Sequence, residues 1–195
     1  MKYLSIDIET TGLDPESCQI LEVAAILDDL KNPLPLERLP IFQQYLRYPV
    51  IIGQPFALSM HSEILKRLAS KDQEEACGTE CDPEVLVFRF RRWLEAQGID
   101  LKQSLTPAGK NFGSFDLQFL KRLPEWGCSQ YGVRLKHRSL DPSILYFDPE
   151  IDDQLPDSLT CMQRAGIEGP VAHTAVEDAL VVVRLIRHKL LREEM

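Results

Sequence analysis

The stretch KYLSIDIETTG, residues 2–12, decides how this chain is read. Its first seven residues alternate well enough for a β-strand, and successive strand side chains point to opposite faces. In Ile6-Asp7-Ile8-Glu9 the two isoleucines therefore enter one layer, while both carboxylates emerge together on the other. Two acids on one half-buried face repel each other and lose hydration, which is costly unless something positive neutralises them. Taken alone, the pair also fits an exposed strand end with two harmless acids.

Outward from this strand, residues 18–28 (CQILEVAAILD) are apolar and β-branched enough for a second, with TTGLDPES as the turn between them. Residues 41–48 (IFQQYLRY) suggest a third, and the three form an antiparallel meander. Helical patterns cover 60–70 and, after Asp82-Pro83, 82–97. Residues 104–109 (SLTPAG) read as a short central strand leading into a helix over 114–123 capped by Ser114, followed by a strand near 133–140. Short helices over 141–147 and 157–165 and a long one over 174–193 complete the order β-β-β-α-α-β-α-β-α. That order implies an α/β fold: a five-stranded mixed sheet, three antiparallel strands then two parallel, flanked by helices. No repeat or Gly/Ser-rich linker divides the 195 residues, which read as one domain. The acidic loop 147–158 (FDPEIDDQLPDS) reads as a solvated connection, with a lid as the lesser reading.

At 44% hydrophobic and 27% charged, the composition is globular rather than disordered. Asp7 and Glu9 interrupt the first apolar run, so it has neither the uncharged centre of a signal peptide nor the length of a membrane span. Five cysteines without framework spacing fit reduced thiols, and a cytoplasmic location is expected. Cys77 and Cys81 lack the second ligand pair that a zinc site needs. The net charge of −8 argues against tight, nonspecific binding of long duplexes, and the basic residues form only short clusters, Arg89/Arg91/Arg92 and Lys136/His137/Arg138. Bound divalent cations would reverse the local sign of an acid cluster. Walker A, dinucleotide-fingerprint and nucleophile-elbow patterns are all missing, which removes those chemistries. No feature of the sequence sets an oligomeric state.

Two further segments carry chemistry. Asp116 falls in the first turn of the helix after Ser114, three and four residues before Phe119 and Leu120, and so points to that helix's core side. A first-turn Asp also serves merely to complement the helix dipole. Around it, Gly109 and Gly113 let the backbone approach a ligand, and Asn111, Phe112 and Phe115 can bond to or stack on a nucleotide. His173 and Asp178 are five apart, about 500° around an α-helix, so they converge only if the His precedes the helix, as Gly169-Pro170 suggests.

DIETTGLD, NFGSFDLQFL and HTAVEDA, in this order and at these intervals over residues 3–190, resemble the three motifs of the DEDDh, DnaQ-like exonucleases. The resemblance implies a ribonuclease H-like fold and 3′-to-5′ hydrolysis of single-stranded or frayed nucleic-acid ends and short oligonucleotides, releasing 5′-mononucleotides. It also implies two Mg2+ or Mn2+ ions, bridged by Asp7, with Glu9 and Asp178 on the nucleophile side, Asp116 on the other, and His173 taking the water's proton. Such a pair, about 4 Å apart, can activate water and stabilise a leaving 3′ oxygen. By the same resemblance the backbone at Thr10 and Thr11 meets the terminal nucleotide and Leu13 wedges against its base. Met60-His61-Ser62 resembles a weaker element that would place His61 near the end nucleotide, against a plain packing role. Lys110 stands where many relatives have His. The competing function, a nuclease-like fold used for binding or regulation, would be free to lose at least one of the five residues, and all five are present. Preference for DNA or RNA rests on one 2′-hydroxyl, which no motif addresses.

Overall fold

The structure, a computed structural model, describes residues 1–70, 79–128, 130, 132–169 and 174–191. Cys77, His173 and the end of the long C-terminal helix predicted to residue 193 lie outside them. Strands β1 (Lys2–Thr10), β2 (Ile20–Asp29) and β3 (Ile41–Leu46) form the expected antiparallel meander. β4 (Glu80–Cys81) adds to β3 and β5 (Thr106–Ala108) adds to β1, both parallel, so the sheet order is β4-β3-β2-β1-β5. The helices among the described residues are α1 (Pro55–Met60), α2 (Ser62–Ala69), α3 (Pro83–Ala96), α4 (Asp116–Leu120), α5 (Pro142–Leu145), α6 (Ser158–Ala165) and α7 (Ala175–Leu191). None is long and apolar enough to cross a membrane.

The mixed five-stranded sheet is as expected, but its fifth strand is β4. The segment 133–140 meets the sheet only at two isolated parallel bridges, Leu105 with Leu135 and Ala108 with Leu140. Three steps on the β5 side match five on the other, and two extra residues between anchor points cannot keep a ladder in register. Helix α4 also departs from expectation. Ser114 does not cap it: Phe115 holds the cap position without a side-chain bond, and the Ser114 hydroxyl donates to the Asn111 carbonyl. Asn111 has a positive φ of 56°, and this turn uses up the residues that a longer helix would have needed.

The period-two pattern of β1 sorts its side chains as the sequence demands. Leu4, Ile6 and Ile8 join the larger core, with Leu86, Val87, Phe90 and Leu94 of α3 and Phe119 and Leu120 of α4. Tyr3, Ser5, Asp7 and Glu9 face α7, whose Ala179, Val182, Val183 and Ile186 pack on Tyr3 and Ile26. The Ser5 hydroxyl donates to the Ala179 carbonyl at 2.9 Å, joining helix to strand. At the far end, Arg187 grips Asp28 through two bonds of 2.9 and 2.6 Å, and the Tyr3 hydroxyl donates to the same carboxylate. Both members of this pair are buried, so removing one leaves an uncompensated charge. Arg187→Ala should therefore lower the unfolding free energy by about 3–5 kcal/mol in a urea titration; a loss under about 1 kcal/mol would show that Asp28 finds other partners.

Candidate active site

β1 outruns β5. The parallel pairing stops at Ser5–Ala108, and among the described residues no strand lies beside the β1 edge from Ile6 to Thr10 on that side. Gly109 turns the chain across this edge: a Cβ there would lie 2.9 Å from the Ile6 carbonyl oxygen. The close approach expected at this glycine is thus to β1 rather than to a ligand. The returning chain starts α4 beside the open edge, and the Asp116 carboxylate accepts the Ile8 N–H. From the other side, α7 brings Asp178 over the same strand. One carboxylate oxygen from each of Asp7, Glu9 and Asp178 lies within 4.8 Å of the others. Asp116 adds the largest single repulsion on Asp7, so all four acids act on one spot.

A fifth carboxylate, unforeseen in the sequence, stands behind them. Glu22 on β2 is the ladder partner of Glu9 and is fully buried. Its only signal was one acid in the apolar run 20–27. Its Oε1 accepts the Gln43 amide at 2.6 Å and its Oε2 accepts the Ala175 N–H at 3.3 Å.

Burial, reinforced by Asp116, Glu9, Asp178 and Glu22, holds the Asp7 carboxyl well above the usual carboxylate range. Burial first, then Asp178, Glu22 and Asp116, pushes Glu9 up to about 8. Burial raises Asp116 and Glu22 likewise, against the hydrogen bonds each accepts. His61 is buried with Nε2 3.3 Å from Glu9 Oε2. Hard divalent cations favour such a set of carboxylate oxygens, and the donors present fit one.

The remaining expected residues divide. Leu13 is 74% exposed at the tip of the turn after β1. Asn111 is exposed, its N–H held by Asp141 at 3.1 Å. Phe115 is half-buried, its ring 5.1 Å from that of Phe119. Phe112 is only 1% exposed and belongs to the core, which overturns its expected stacking on a nucleotide. Thr10 and Thr11 are buried, and both backbone polar groups of Thr11 are engaged, with Gln19 and Gln54. They build the turn that presents Leu13, and Gly53 allows that packing, because a Cβ there would overlap Thr11. Lys110 shares the lining of a cavity of about 210 Å³ with Asp7, Asp178, Ser143 and Cys161. The acidic loop is tied down by Arg164, which donates to both oxygens of Asp152 at 2.6 Å.

No protein-family model and no curated protein sequence matches the chain. Solved structures do. Cell-death related nuclease 4 (CRN-4) superposes with a TM-score of 0.65 at 13% identity, over 98% of this chain and 64% of that one. The chain thus spans under two thirds of that protein. The Mg2+- and Mn2+-bound form of Pop2p from S. pombe gives 0.61 at 16% identity, over 97% of this chain and 84% of that one. The nuclease domain of 3′hExo, a DEDDh family member bound to rAMP, gives 0.62 at 16% identity, over 100% and 97%. Likeness at these identities shows a common fold.

A carboxyl whose folded pKa is raised binds its proton more tightly folded than unfolded. For Glu9, stability is therefore present below about 4.5 and lost as pH rises through about 8. In EDTA, Tm should fall between about pH 5.5 and 8, and Mn2+ should raise Tm more at the upper pH. Glu9→Gln should flatten both trends in a thermal-melt series, and a flat wild-type profile in EDTA would contradict the electrostatics.

Proposed function

We propose, from the ribonuclease H-like fold that this chain shares with DEDDh exonucleases, that it is a divalent-metal-dependent 3′-to-5′ exonuclease releasing 5′-mononucleotides from single-stranded or frayed ends. The observation that carries this reading is the convergence of Asp7, Glu9 and Asp178 within 4.8 Å, with Asp116 repelling the same centre. Such a cluster is costly unless cations occupy it. Asp7, flanked by the other three, would hold the metal together with Glu9, Asp178 and Asp116. When bound, the ions supply an activated water and stabilise the leaving 3′ oxygen. That Pop2p is Mg2+- and Mn2+-bound, and that 3′hExo is bound to a mononucleotide, support both choices.

The chain's own groups do the rest. His173, five residues before Asp178, takes the proton of the attacking water, for which an imidazole with an ordinary pKa near 6.5 is suited. Leu13 offers apolar surface to the terminal base, and the exposed Asn111 and half-buried Phe115 lie in the segment that leads into Asp116. Buried His61 orients Glu9 rather than touching substrate. With a net charge of −8, grip is confined to the last few nucleotides, so short and single-stranded substrates are preferred over blunt duplex.

Purified protein with Mg2+ or Mn2+ should shorten end-labelled oligonucleotides from the 3′ end and stop in excess EDTA. Asp7→Ala should cost more than loss of any other single acid. Robust cleavage in EDTA would sink the proposal, and nucleic-acid binding without cleavage would favour a binding module. His173→Ala should retain Mn2+ binding in calorimetry yet lose about 10²- to 10⁴-fold in rate; collapse of metal affinity would make it a ligand instead. Rates on single strands should fall only shallowly with salt, whereas steeply salt-dependent duplex binding would reveal a basic surface assembled by the fold or an oligomer.

A further inference from the structure

Glu22 is 0% exposed near the start of β2, where its neighbours Leu21, Val23 and Ala24 are core residues. A buried carboxylate is tolerated only when its oxygens are satisfied. One oxygen takes the Gln43 amide at 2.6 Å, and the Tyr45 hydroxyl bonds the same carboxylate. The other takes the N–H of Ala175, 153 positions away in sequence. Ala175 is the first residue of α7 and is itself 0% exposed. First-turn N–H groups of a helix have no intrahelical acceptor, and burial denies this one water, so Glu22 supplies what the helix end lacks. A carboxylate there also matches the positive end of the helix dipole. Directly opposed residues of an antiparallel ladder share a face, which puts Glu22 beside Glu9. One side chain therefore stands next to one candidate metal ligand and ties down the helix that carries another, Asp178, three residues past Ala175.

We propose that Glu22 is a positioning residue for the nuclease site: it fixes the start of α7 on the sheet so that Asp178 comes within ligand distance of Asp7 and Glu9. The proposal rests on the nuclease reading above. The Ser5–Ala179 bond and the apolar face hold the body of α7, but neither reaches its first residue. Glu22 touches no reacting atom in this scheme and acts through Asp178.

Two variants separate positioning from general support. Glu22→Met keeps the length of the side chain and removes the acceptor; Glu22→Gln keeps an acceptor for Ala175 and removes the charge. Three readouts apply: amide exchange at Ala175, Mn2+ affinity by calorimetry, and kcat and KM on a short single-stranded oligonucleotide. Folding of each variant is checked by circular dichroism. Glu22→Met should exchange the Ala175 amide faster and lose about 10- to 100-fold in Mn2+ affinity and kcat, with KM little changed, while Glu22→Gln recovers most of each. Wild-type Mn2+ affinity and kcat in folded Glu22→Met would overturn the proposal, as would equal losses in both variants with unchanged Ala175 exchange. If the wild-type protein cleaves nothing, the nuclease reading fails. Ala175 exchange and Mn2+ affinity still decide whether Glu22 positions the acid cluster.

Discussion

Mutual repulsion among carboxylates on one buried face of β1 is the constraint around which this molecule is arranged. Asp7 and Glu9 share that face, Asp178 meets them within 4.8 Å, and Asp116 and Glu22 press from either side. Burial alone would drive these groups to keep their protons near neutral pH, and each further acid strengthens the effect. Such a cluster does not stabilise a fold. Bound divalent cations would turn the same repulsion into affinity, and the ion's own charge would then invert the local electrostatics.

The scaffold meets this constraint by unequal strand lengths. Had β5 matched β1, the edge at Ile8 would be paired, and there would be no place for Asp116 to accept its N–H. The close pass of Gly109 over Ile6 ends β5 early and sends the chain into α4. A register shift between Glu9 and Thr10 frees the end of β1 for the turn that displays Leu13. On the opposite face, α7 is secured at its far end by Arg187–Asp28, in its body by Ser5, and at its start by Glu22. The acids meet because both sides of the sheet are held to about the precision of a hydrogen bond.

What could be read in the sequence was what local periodicity encodes. The alternation of β1 placed Asp7 and Glu9 together, and the apolar stripe of α7 oriented Asp178 over them. Features that depend on distant partners were hidden. β4 has only two residues and exists because β3 lies beside it, while 133–140 looks like a strand yet carries two residues too many between its bridges. Phe112 shows the same ambiguity for a side chain, because an aromatic beside a glycine turn reads alike whether it meets a base or, as here, the core. Glu22 became interpretable only when its partner, Ala175, was known.

The most direct test of the central claim is anomalous diffraction from crystals of the protein soaked in Mn2+. The account predicts two peaks about 4 Å apart, one ligated by Glu9 and Asp178, one by Asp116, with Asp7 between them. Manganese absent from this cleft at saturating concentration, or bound only elsewhere on the surface, would contradict it.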